Sequence, residues 1–174
     1  GKQLLLAWRM YADDNADRIP YAYAPDFPDR NAPYAWITGV LDSSPDAVNW
    51  DINNNITKSP LWPYCGKQSG IWKCPADTSL ARATYGPFSG QVISRVRSVS
   101  MLSWFNSSDA DHFPGCSGYV KYTKLSEVLK PGPAMTFVFL DERFDSINDG
   151  EFCTSMSGYP DQPAQFYLID FPAS

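Results

Sequence analysis

Histidine is almost missing from this chain: its 174 residues include a single one, His112. Multi-histidine zinc sites are therefore excluded, and any Ser-His-Asp or Cys-His nucleophile would have to use that one residue. It stands in Ser107-Ser108-Asp109-Ala110-Asp111-His112, a polar stretch that reads as an exposed loop. Positive charge is also scarce. Fourteen Lys and Arg face nineteen Asp and Glu, for a net charge of −5, which argues against nucleic-acid binding because that needs a basic face. No apolar run approaches the roughly 18 residues of a membrane span, and the start lacks the regions of a signal peptide. The sequence shows no C-x-x-C pair, no internal repeat and no low-complexity tract.

What is present describes one folded domain. Hydrophobic residues at 44% against 19% charged exclude global disorder, and the length suffices for a substantial core. Fifteen prolines and 15% aromatics point to a loop-rich surface on a modest scaffold. The clearest helix opens the chain. Leu4, Ala7, Trp8 and Tyr11 fall at i, i+3, i+4 and i+7 and make an apolar stripe, with Leu5 and Leu6 widening it. Asp13 and Asp14 oppose the macrodipole at its end, so they need another reason to be there, a turn or a polar contact. Pro20 is the stop signal. Lys2-Gln3 is a poor helix start, so the helix reads as the continuation of a longer one.

From Pro20 to Pro63 the pattern is irregular, with a short strand expected at Trp36–Val40 and a short helix near Pro60–Tyr64. Ile71–Pro75 reads as extended. Ser94–Phe105 alternates and is strand-like, and Leu125–Leu129 makes a helical turn or two. Met135–Leu140 is the best strand signal, β-branched and aromatic between turn residues, and its continuous apolarity predicts a central strand covered on both faces. Phe152–Met156 is expected to return beside it as a hairpin across an Asp145–Gly150 loop.

Four cysteines allow three disulfide connectivities. Cys65–Cys74 with Cys116–Cys153 is favoured, because Gly66 and Gly70 let the first loop turn back; closing it would contribute on the order of 2.5–3 kcal/mol. Four reduced thiols are the alternative. The densest oxygen cluster is Asp141, Glu142, Asp145, Asn148 and Asp149, a set whose chemistry suits calcium. It is no EF-hand: aligning Gly150 with the turn glycine puts Ile147 and Met156 at ligand positions. A hairpin tip in which Asn148-Asp149-Gly150 turns and the acids face solvent competes with the metal reading. Asp141 and Glu142 as a glycosidase pair is poor, since adjacent strand residues face opposite sides. Six tryptophans and ten tyrosines invite carbohydrate binding, although most such residues are core. Asn55-Ile56-Thr57 and Asn106-Ser107-Ser108 match the glycosylation sequon.

Three segments in fixed order carry a resemblance. Lys2–Asn15 resembles the segment that follows the membrane helix in bacterial prepilin-like proteins of the type II secretion pseudopilin class. Trp72-Lys73-Cys74-Pro75-Ala76-Asp77 is similar to the "W-x-C-P-x-D" element of a planctomycete- and verrucomicrobia-type branch, and Phe139–Glu142 with Asp145–Gly150 to its late "DE…DSINDG" element. The resemblance implies an α+β head in which Leu4, Trp8 and Tyr11 turn the helix toward an antiparallel sheet. It implies an unseen anchoring helix, a periplasmic or cell-surface location that favours disulfides, and partners among other pilin-like subunits and secretion-assembly proteins. Membrane contact would run only through the anchor. The His- and Gly-containing "ADGH" stretch of that branch has no counterpart after Ile169–Ser174. Some major pseudopilins bind calcium in a late loop, though not one matching this loop residue by residue. The function expected is a non-enzymatic structural subunit of a pseudopilus or type IV pilin-like assembly; an anchored carbohydrate-binding module is the alternative.

Overall fold

The computed structural model describes residues 1–24, 29–41, 47–106, 121–130, 132–155, 162 and 165–173. The chain is an α+β protein whose described residues form an N-terminal helix, α1 (Lys2–Asp14), and three small sheets joined by long irregular connections. As the heptad-like spacing dictates, α1 buries Leu4, Ala7, Trp8, Tyr11 and Ala12. Leu5 and Leu6 do not widen that face. They are 41% and 60% exposed, because at 100° per residue they rotate past the edge of the stripe.

The helix ends before Pro20. Asn15 caps it by donating from its side-chain Nδ2 to the Tyr11 carbonyl at 2.7 Å, and Ala16 and Asp17 then take left-handed φ of 55° and 69°. The acids at this unfavourable end have the partners they needed. Asp14 accepts the Tyr64 hydroxyl at 3.0 Å, and Asp17 accepts the N–H and hydroxyl of Ser126.

The largest sheet has the order β4 (Phe139–Asp141), β3 (Val99–Leu102), β5 (Glu151–Phe152). β3 runs antiparallel to β4 and parallel to β5, so the sheet is mixed. This corrects two expectations. The central strand is β3, buried at every residue, while the Met135–Leu140 segment contributes only an edge strand and leaves Met135 76% exposed. The 151–152 segment passes over β4 to pair with β3, so no hairpin forms there. Two further sheets are β1 (Leu80–Arg82) with β2 (Val92–Ser94), and β6 (Thr154–Ser155) with β7 (Tyr167–Leu168), both antiparallel.

Elsewhere the described chain advances in one-turn 3₁₀ helices, including Trp62–Cys65 and Ser69–Trp72. The latter takes in Ile71 and Trp72 of the extended segment expected at Ile71–Pro75, and the chain becomes extended only at Lys73. Trp36–Val40 makes only an isolated bridge, Ala24 to Thr38. The main core joins Leu4, Trp8 and Tyr11 of α1 to Trp36, Trp72, Met101, Leu102 and Phe105. Edge-to-face aromatic pairs fix it: Trp8 on Phe105 at 5.4 Å and Tyr11 on Tyr64 at 6.1 Å. A second, smaller cluster of Ala47, Trp50 and Ala83 lies under β1 and β2.

Candidate functional site

The Trp72–Asp77 and Phe139–Gly150 elements, far apart in sequence, meet at Ser98. Its N–H donates to the Trp72 carbonyl at 3.2 Å, and its own carbonyl accepts the Glu142 N–H at 2.8 Å. Its hydroxyl accepts the Cys74 N–H at 2.8 Å and donates to the Asp141 carboxylate. One serine thus spends every polar atom on joining two loops to β3.

Arg97, fully buried, continues the junction. Its Nη1 donates to the Val99 carbonyl at 2.5 Å and to Ser100 Oγ at 3.2 Å, its Nη2 donates to the Asp149 carbonyl, and the guanidinium lies 5.5 Å from the centre of the Trp36 ring. Trp36 Nε1 in turn donates to the Gly150 carbonyl at 2.8 Å. Burial lowers the Arg97 pKa to about 10, against the opposing pull of Glu142 and Asp149, so it stays charged at neutral pH. Arg95, also buried, donates to the carbonyls of Leu41 at 2.9 Å and Phe144 at 3.1 Å.

Glu142 faces the same interior and is 2% exposed. Burial pushes its carboxyl up to about 8; nearby Asp170 adds to the rise, while the Ser100 hydroxyl and the Arg97 charge offset part of it. The Ser100 and Ser146 hydroxyls stand close, yet neither carboxyl oxygen makes a well-aligned hydrogen bond. Burial also raises Asp170, which accepts the Cys153 N–H at 2.5 Å. A cavity of about 330 Å³ borders this junction, walled by Cys74, Asp77, Asp141 and Phe144. Burial would raise Asp77 as well, but the N–H and hydroxyl of Ser79 and the Lys73 ammonium hold it below its ordinary value.

The arrangement binds segments together. The Ser98 hydroxyl is engaged by a carboxylate, and the one histidine, His112, lies outside the described residues. The five calcium candidates do not converge. Asp141 is held by Ser98, Glu142 points inward, and Asp145 is held by the Arg143 fork at 2.6 and 3.1 Å. Asn148 gives its carbonyl to the Leu41 N–H, and the Asp149 carboxylate takes the Glu151 N–H at 2.8 Å. Among the described residues no group of three acids, cysteines or histidines could hold a metal.

Cys65 and Cys74 are free thiols here, not the expected disulfide, and burial pushes Cys65 up to about 11. Cys153 is a buried thiol; its expected partner, Cys116, lies outside the described residues. Asn55 is buried, which removes the first sequon from the folded surface. Leu4, Trp8 and Tyr11 do form the packing face. The junction arginines went unnoticed in the sequence, although a signal exists: residues 95 and 97 share the alternation phase of Val99 and Met101, which puts both arginines on a core face.

No protein-family model, curated protein or solved structure matches this chain.

Proposed function

We propose that this chain is a structural subunit of a pilin-like assembly of the type II secretion class, displayed outside the inner membrane and working by packing, without catalysis. The observation that carries the reading is the two-sided character of α1. One face is sunk in the core through Leu4, Trp8 and Tyr11, while Leu6 and Met10, one turn apart, remain 60% and 43% exposed on the outer side. An outward Leu–Met pair on the first helix suits a subunit that packs helix against helix. Supporting it are the α+β architecture and the order of the three sequence elements that resemble the pseudopilin class. Partners on this reading are other pilin-like subunits.

Of the aromatics that suggested the carbohydrate-module alternative, the tryptophans are withdrawn from the surface, five buried and Trp62 half-buried in the core, while tyrosines such as Tyr34 remain exposed. The test is Leu6→Asp with Met10→Asp in the full-length protein in its native cells. The expected result is an unfolding midpoint close to that of the parent, together with loss of co-purification with other pilin-like subunits. A double variant that still co-purifies at the parental level overturns the reading.

A further inference from the structure

A cavity of about 590 Å³ opens where the end of α1 meets the residue 121–124 segment. Tyr11, Tyr21, Tyr34, Arg18, Lys124 and Asn106 line it. Two features set it apart on a chain of net charge −5.

First, Arg18 and Lys124 face each other across an antiparallel bridge. Directly opposed residues share a side of the ladder, and like charges there repel. The nearest carboxylates do not relieve them by direct contact. Asp17 is engaged with the N–H and hydroxyl of Ser126. Glu127 folds back onto the N–H groups of Thr123 and Lys124 at 2.7 and 3.0 Å. Its field from Lys124 is only the weakest of the influences that hold its pKa down, the largest being the Thr123 N–H. Neither cation makes an ion pair with a described carboxylate.

Second, the walls are rings. Tyr21 and Tyr34 stand 6.4 Å apart at 42°, an aromatic wedge, and Tyr34 is 55% exposed. Burial, with the neighbouring tyrosines adding, raises the Tyr11 phenol, which keeps it a neutral donor. Asn15, whose Nδ2 donates to the Tyr11 carbonyl, adds an amide to the same wall.

We propose that this cavity binds an acidic saccharide, with a uronate carboxylate between Arg18 and Lys124 and its sugar ring against Tyr21 and Tyr34. A carboxylate matches the guanidinium fork. The ring faces and amides suit a hydroxylated ring, and a bare phosphate would leave them unused. The size falls in the range of small-molecule sites, roughly 300–1,000 Å³. The inference is independent of the assembly reading, since α1's outer row takes no part in it.

Titration of the folded protein with oligogalacturonate, its neutral methyl ester and inorganic phosphate, followed by calorimetry, decides the matter. Saturable binding of the uronate is expected, with affinity at least tenfold weaker for the ester and for phosphate. Arg18→Gln and Tyr34→Ala, both at exposed positions, should each lower uronate affinity at least tenfold with an unchanged unfolding midpoint. Absence of uronate binding, equal affinity for ester or phosphate, or an Arg18→Gln variant that binds like the parent would overturn the proposal.

Discussion

Arg97 reaches its neighbours through backbone carbonyls and a ring face, so replacing it removes several ties at once. Arg97→Ala is expected to cost about 3–5 kcal/mol, the typical penalty for breaking a buried charged network, read from chemical denaturation. Gly150 fails for a different reason. A Cβ there would stand 2.1 Å from Ile37 Cγ2 and 3.1 Å from the Ala22 carbonyl, so Gly150→Ala should cost about 1–3 kcal/mol through overpacking. Glu142 predicts a pH dependence. Its folded pKa, about 8, lies above its ordinary value of 4.5, so the folded state holds a proton that the unfolded chain has released. Its contribution is complete below about pH 4.5 and is lost as pH rises through 8. Asp170, also raised by burial, acts in the same direction; Asp77, held low, contributes stability that is lost only in stronger acid. Unfolding free energy should therefore fall from pH 5 to pH 8, and Glu142→Gln should flatten that slope. A slope that survives the substitution would assign it elsewhere.

At the scale of elements, α1 was legible because a 3.6-residue period is written into its own sequence: Leu4, Ala7, Trp8 and Tyr11, at i, i+3, i+4 and i+7, are all buried, while Leu5 and Leu6, expected to widen the stripe, are exposed. Truncating that face should be severe: Trp8→Ala is expected to cost about 3–5 kcal/mol, while Leu6→Ala on the outer row should change stability by about 0.5 kcal/mol or less. The strands were less legible. Phe139–Asp141 has strand composition, but its rank in the sheet depends on β3 and β5, and residues 151–152 chose β3 over the nearer strand. Partner choice is a non-local property that no local window contains. The same holds for the polar junction. The acids of the late loop were visible as a cluster, but that their neighbours would be Ser98 and Arg97 follows only from the fold. A metal-like composition therefore turned into a set of ties to neighbouring side chains and backbone.

For the whole molecule, a helix with one anchored and one open face is mounted on a body of short sheets and 3₁₀ turns. Long loops hold their place through buried polar contacts rather than regular pairing, with Ser98, Arg95 and Arg97 as the fixed points. On the proposed assembly reading, that body would hold its shape beside other subunits. The most direct measurement of that claim is site-specific photocrosslinking from Leu6 of the full-length protein in its native cells, with the captured partners identified by mass spectrometry. The account predicts crosslinks to the N-terminal helices of other pilin-like subunits. It is contradicted if Leu6 captures no such subunit while the protein is folded and present at its normal level.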